Sequence, residues 1–360
     1  MSRAATLVLL AILYALVSTA SIDVFMSKRA FFEGSEHRAY AFETMLDRTA
    51  HRPFVHRALM PALVNATDAL LPASIAERYG PAARELVQRY SVRADGPFWT
   101  PSLERRYLIA FVWMNLFAFA ALWALRDLLG AALPGEPLLR DLAPVAFGAA
   151  VPLTYMNGGF MYDPADLFFG FVTLALAWRG RHLRALVALA LAVLNKETAA
   201  LGVVFLSIVA WHVSAPRVWA RFTAAAGAVA AGVLAFLWWR YASSPGSPVY
   251  DHVAENWAFW TQPRSWWLTM TVHAPLMLLP RGLSLVLLLP VVALLAHGWR
   301  ERPAVLRRLL VAGAAINLPL FFLFCWKDET RNLYLMAPAL VLNLCAALAA
   351  LHSRGTAAAA

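Results

Sequence analysis

YDPADLFFGFVTLALAWRGRHLRALVALALAVLNKETAALGVVFL, residues 162–206, decides how the rest of the chain is read. Two acidic residues, Asp163 and Asp166, open an apolar block that runs to Trp178. A basic turn with Arg179, Arg181 and Arg184 follows, then a second apolar block that stops at Asn195-Lys196-Glu197-Thr198 before a third begins. The blocks are Leu- and Ala-rich and do not alternate, so they read as helices rather than as barrel strands.

Blocks of this kind recur along the whole chain, near residues 6–22, 107–125, 141–157, 164–178, 183–196, 197–213, 222–241, 281–298, 309–326 and 333–351. Their length suits the hydrocarbon thickness of a bilayer, where a segment must satisfy its own backbone polar groups. Composition agrees: 61% of residues are hydrophobic and only 14% charged, against about a quarter charged in a soluble domain. The expected fold is all-α: a polytopic transmembrane helical bundle of about ten spans, one integral membrane domain over 1–360, with 23–106 as a long extracytoplasmic loop carrying interfacial helices. Residues 36–50 and the run Trp257, Trp260, Trp266, Trp267 are expected to lie at the membrane surface. Residues 6–22 also fit a signal peptide cut after Val17-Ser18-Thr19-Ala20; a retained span is the preferred reading.

The formal charge of +10 comes mainly from arginines in short loops. With both termini in the cytoplasm, alternate loops hold Arg126 and Arg140; Arg179, Arg181 and Arg184; Arg217 and Arg221; Arg300, Arg302, Arg307 and Arg308. The short outer loops hold only Lys196, Lys327 and Arg331. That alternation is the positive-inside pattern, so the charge is assigned to orientation and no nucleic acid partner is expected. Cys325 and Cys345 fall inside apolar blocks and read as small buried hydrophobes. Arg-over-Lys and Ala-rich usage points to a bacterial protein, hence to the inner membrane and cell envelope.

On this topology the unusual polar residues gather at one face: Asp23, Glu36 and Glu43; Arg52, His56 and Arg57; Asp163 and Asp166; Lys196 and Glu197; Asp328, Glu329 and Arg331. Ionisable groups at or within spans usually mark a cavity or site. Each also has a plain structural reading. Asp163 and Asp166 could cap a helix with Pro164 in its first turn, Lys196 could pair with Glu197, Asp328 and Glu329 could pair with Arg331, and His56 could be a packing histidine. A carboxylate at this depth can act as general base on a hydroxyl, and Arg and Lys can clamp a phosphate or diphosphate. No HExxH, CxxC, Walker or dinucleotide-binding glycine motif occurs, so no cofactor is expected and a nucleotide substrate is disfavoured; a divalent metal stays compatible.

The order of these features resembles the GT-C superfamily of polytopic membrane glycosyltransferases. Residues 162–206 carry the likeness most strongly, and RPFVHRALMP (52–61) and WKDETRNLYLMAP (326–338) are similar to segments of uncharacterised bacterial membrane proteins near that group. The resemblance implies sugar transfer from a polyprenyl phosphate or diphosphate donor, with membrane lipids and a polyprenyl-linked sugar as partners. It implies a first-loop carboxylate as base, with Asp23 matching by position and Glu36 and Glu43 as alternatives. Arg52, Arg57, Lys196 and Arg331 would hold the donor phosphate, and His56, Asp163, Asp166, Glu197, Asp328 and Glu329 would line the pocket. The rival readings are a transporter or lipid flippase, and a non-catalytic membrane protein.

Overall fold

The structure is a computed structural model that describes residues 2–27, 39–91, 94, 96, 98–155, 159–247, 252–266, 269–273, 277–281, 285–327 and 329–359. Helices carry the fold. They are α1 (Arg3–Ser27), α2 (Phe42–Leu46), α3 (Leu59–Leu70), α4 (Ala73–Tyr90), α5 (Pro101–Ala132), α6 (Pro137–Ala150) and α7 (Asp163–Trp178), then α8 (His182–Asn195), α9 (Gly202–Val213), α10 (Pro216–Arg240), α11 (Val253–Trp260), α12 (Leu285–Ala296), α13 (Ala304–Phe324) and α14 (Ala337–Ala359). One antiparallel hairpin, β1 (Thr269–His273) with β2 (Met277–Arg281), stands before α12.

Among the described residues, five helices are long and apolar enough to cross a membrane: Ala4–Ser27, Pro101–Ala132, Pro216–Arg240, Ala304–Phe324 and Thr330–Ser353. Each of the other apolar blocks also holds a helix, but a shorter one, among them His182–Asn195 and Glu197–Val213. Apolar side chains point outward on several helices, among them Val8, Ile12 and Leu16 on α1 and Leu183 and Val187 on α8. An outward apolar surface of this extent suits a lipid solvent.

The stretch quoted first forms the centre. α7 packs along α5 and also against α8 and α9, which makes it the most enclosed of the apolar helices. Its first turn contains Pro164, where a missing N–H costs nothing. Its last turn closes with Gly180 N–H on Ala177 O and Arg181 N–H on Leu176 O, and Gly180 takes φ +68°. α5 begins in a similarly legible way, with Thr100 Oγ1 accepting from Leu103 N–H and Pro101 following.

The segment between α1 and α5 corrects the sequence reading. Residues 36–50 were expected on the membrane surface, but Met45 and Leu46 of α2 are buried in the protein core. Among the described residues of this segment, the exposed large apolar side chains are farther on, at Leu70, Ile75 and Tyr79 around the α3–α4 corner. α3 and α4 themselves lie in what reads as loop, because their charged residues hide the helical period. Those charges bind arginine to carboxylate: Arg84 to Glu104 at 2.6 Å, Arg106 to Asp47 at 2.8 Å, and Arg105 to Asp68. They tie the segment to the start of α5.

The arginines form a second system at the opposite end of α7. Arg126 and Arg140 both bond Asp141, at 2.9 and 2.8 Å, and Arg179 bonds Asp127 at 2.6 Å. Tyr14 Oη donates to the Asp141 carbonyl at 2.8 Å, which joins α1 to this end. Arg302, buried, donates to the carbonyls of Leu294 at 2.9 Å and His297 at 2.6 Å and so closes the C-terminus of α12. Cys325 and Cys345 are free thiols.

The left-handed turn at Gly180 has open space around its Cα. Gly180→Ala should therefore cost about 1 kcal/mol from backbone conformation alone, with no clash. Thermal unfolding of the purified protein should show a small, single-transition drop in Tm.

Candidate functional site

The Asp163 end of α7 collects a buried ionic network. Asp163 is wholly buried; its Oδ2 accepts from Phe160 N–H at 2.8 Å and from Arg331 Nη1 at 3.1 Å. Arg331, on the 3-10 segment Thr330–Met336, has a side chain 4% exposed and also reaches Glu329 at 3.3 Å. One helical turn along α7, Asp166 Oδ2 accepts from Lys196 Nζ at 3.0 Å. Lys196 is the break between α8 and the 3-10 turn Glu197–Leu201. The next residue, Glu197, takes a forked pair from Arg57, Nε to Oε2 at 3.3 Å and Nη2 to Oε1 at 3.1 Å. Arg57 Nη1 also donates to Tyr162 Oη.

Aromatic rings hold the two arginines apart. Phe160 and Tyr162 stack nearly parallel, with centroids 5.1 Å apart. Arg331 lies 4.6 Å over Phe160, and Arg57 lies 4.7 Å over Tyr162 and 4.8 Å over Phe54. Each guanidinium therefore has a carboxylate in its plane and a ring against its face, the two modes of contact it makes best. Buried asparagines fix the backbone that carries these groups. Asn195 Nδ2 bonds Tyr162 O at 3.0 Å, and Asn317 bonds Asn332 O at 2.9 Å and accepts from Met336 N–H at 3.2 Å.

His56 sits beside this network, 2% exposed, with its ring 6.1 Å from those of Trp238 and Tyr241. Burial pushes its pKa down; Glu197 opposes that, and Arg52 and Arg57 add to it. Its Nε2 and the Nε atoms of Arg52 and Arg331 are buried without hydrogen-bond partners among the described residues.

Several expectations change at this point. Lys196 and Glu197 do not pair with each other; the sequence neighbours face different partners, Asp166 and Arg57. Asp163 does not cap α7 but holds the amide of Phe160 before it. Asp23 lies apart from the network's ion pairs, bonded to Arg89 at 3.3 Å and to Tyr90 Oη, so it ties α1 to α4. Burial and the Asp23 carboxylate push the Tyr90 phenol up to about 12. Glu43 lies in α2, and Glu36 and Asp328 fall outside the described residues. The structure thus joins Arg57, Asp163, Asp166, Lys196, Glu197, Glu329 and Arg331, with Arg52 and His56 at the edge.

A narrow crevice of about 40 Å³ opens beside Asp166 between α7, α8, α9 and the turn before α14. Asp166, Thr173 and Tyr334 are its polar lining; Phe169, Leu174, Phe205 and Leu206 are among its apolar walls. Among the described residues no group of three or more His, Cys, Asp or Glu is placed to hold a metal ion. The asparagines and the Phe160–Tyr162 stack were missed in the sequence because single buried polar residues and aromatics carry no spacing signal.

No protein-family model matches the chain, and neither a curated protein nor a solved structure resembles it significantly.

Removing Arg331 leaves the buried Asp163 carboxylate without its counter-charge. Arg331→Met should cost about 3–5 kcal/mol, and Arg331→Met with Asp163→Asn should recover part of that loss. Equilibrium unfolding of Arg331→Met, Asp163→Asn and the double variant in detergent measures both; additive losses would show that the pair is not coupled.

Proposed function

We propose that the protein is a membrane glycosyltransferase that moves a sugar from a polyprenyl phosphate or diphosphate to an acceptor hydroxyl, at the face where α7 begins. One observation carries this reading: a buried network of carboxylates, guanidinium groups and an ammonium is built on helices too short to place it outside a bilayer. α7 has 16 residues, which makes it about 24 Å long, less than the roughly 30 Å of hydrocarbon in a bilayer. With Arg179 at one interface, Asp163 and Asp166 sit at or below the other.

The sidedness follows from the arginines. The Arg126–Asp141–Arg140 and Arg179–Asp127 system marks the cytoplasmic side, and the Asp163 end faces the exterior of a bacterial inner membrane. On this reading the shorter helices complete a bundle of about ten spans.

The ionic network suits a phosphate-bearing lipid. Arg57, Lys196 and Arg331 already engage carboxylates. Arg52, with an unpartnered Nε, is the cation best placed to meet an entering phosphate. The chemistry needs one proton acceptor. The acceptor O–H gives its proton to a carboxylate, its oxygen attacks the anomeric carbon, and the carbon–oxygen bond to phosphate breaks with its electron pair on the phosphate. Asp166 is the candidate because it belongs to the buried network beside Lys196, whereas Asp23 is half-exposed and ties α1 to α4 through Tyr90 and Arg89. Once Asp166 is protonated, Lys196 loses its counter-charge and can neutralise the departing phosphate.

The test is turnover of a panel of radiolabelled polyprenyl-phosphate sugars by the protein in nanodiscs. Asp166→Asn should lower kcat by about 10²–10⁴, Asp23→Asn and Glu43→Gln should act within about threefold of wild type, and Arg52→Met should raise the donor KM. Loss in Asp23→Asn with an active Asp166→Asn would move the base to the first loop.

A second reading rests on the broken helix at Lys196, where α8 ends, a 3-10 turn intervenes and α9 begins. Broken helices with a paired acid and base also suit ion-coupled transporters. Proton flux through proteoliposomes with no donor consumed would favour that reading.

A further inference from the structure

The crevice at Asp166 has mostly apolar walls, yet Asp166, Thr173 and Tyr334 bring polar groups into it. Thr173 lies seven residues after Asp166, two turns along the same face of α7, and both line the crevice. Thr173 is 5% exposed, yet its hydroxyl oxygen has no hydrogen-bond partner among the described residues. A threonine in a helix normally satisfies its hydroxyl on the carbonyl one turn back, and a buried hydroxyl left unpaired is costly. Asp166 also has one oxygen without a partner among the described residues: Lys196 occupies Oδ2, and no described residue bonds Oδ1.

The space between them fits water. Two turns of helix separate the residues by about 10 Å. A volume near 40 Å³ accommodates about three waters, and three waters linked at about 2.8 Å bridge about 10 Å. Gly170, between the two on the same face, leaves the file open; a Cβ there would meet only Pro338 Cγ, at 3.5 Å. The residues of the opposite wall include Ala192, Ala199 and Gly202, which are small enough to keep the gap.

We propose that this crevice holds a short file of water from Asp166 to Thr173 and is the route by which Asp166 exchanges its proton. The hydration stands on the geometry alone; its part in catalysis rests on the transferase reading. In that reaction the proton taken from the acceptor hydroxyl passes from Asp166 to the water at its free oxygen and leaves as a hydrated proton through the mouth of the crevice beside Asp166, and Asp166 returns to its ion pair with Lys196. Thr173 orients the inner water and is a positioning residue. A hydrocarbon chain in the same gap would leave the Thr173 hydroxyl and Asp166 Oδ1 unsatisfied, which is why water is the assigned occupant.

The experiment uses the full chain in nanodiscs with Cys325→Ala and Cys345→Ala as background. Thr173→Cys and Gly170→Cys are compared with Ala175→Cys, a buried α7 position that does not line the crevice. Silver ion, which travels with water, is the probe, and intact mass reads its adduct. Both crevice cysteines should react more than roughly tenfold faster than the control, and Gly202→Leu, which fills the gap from the other wall, should remove the difference. Equal rates at all three positions would overturn the proposal. In the transfer assay Thr173→Val should lower kcat by about tenfold at unchanged donor KM. An unchanged kcat with fast silver labelling would overturn the proton route. Fast labelling in a protein that consumes no donor would overturn the transferase reading and leave the hydrated crevice standing.

Discussion

The whole arrangement depends on satisfying buried arginines. Arg331 and Arg57 cannot lose their charge, and both are taken out of water at the same end of α7. Each needs a carboxylate and an aromatic face: Phe160 and Tyr162 supply the faces and Asp163 beside them the carboxylate for Arg331, while Arg57 takes its carboxylate from Glu197. Asp163 meets Arg331 from the C-terminal part of the chain, and Tyr162 meets Arg57 from the N-terminal part. The start of α7 is thus the point at which distant segments are joined, and the ion pairs fix how those segments meet.

This explains why the ion pairs around α7 gather at its two ends. At the Arg179 end the pairs Arg179–Asp127 and Arg126–Asp141 join α5, α6 and α7; Arg179–Asp127 is half-exposed and adds little, while Arg126–Asp141 is mostly covered. At the Asp163 end the pairs are buried, so breaking any of them is expensive. A protein that needed only to anchor its helices could use the first kind throughout. Keeping the second kind, with unpartnered nitrogens on Arg52, His56 and Arg331 beside it, fits a site kept ready for a ligand.

The helical bundle was legible in the sequence because lipid exposure forces long uninterrupted apolar blocks, and α5, α7, α8 and α14 fall where those blocks fall. The basic turns were legible for the same reason. The region between α1 and α5 was not, since Arg105, Arg106 and Asp68 pair across helices and mask the apolar faces of α2 and α3. Candidate site residues could be named but not partnered. Lys196 and Glu197 are adjacent in the chain and face opposite ways only because the helix breaks between them, and nothing local announces that Asp166 and Arg57 will be waiting. Asp23 is the instructive case: its position matched a resemblance, while the geometry gives it to Tyr90. The crevice at Thr173 left no trace in the sequence, because a lone threonine in an apolar helix is ordinary.

The most direct test of the central claim is a cryo-electron microscopy structure in nanodiscs with a polyprenyl-phosphate sugar bound. The account predicts the phosphate at Arg52 and Lys196, with the Asp166 carboxylate facing the sugar and the lipid chain leaving between helices. A head group bound at the Arg179 end, or a bound lipid that leaves the Asp163 end untouched, would contradict it.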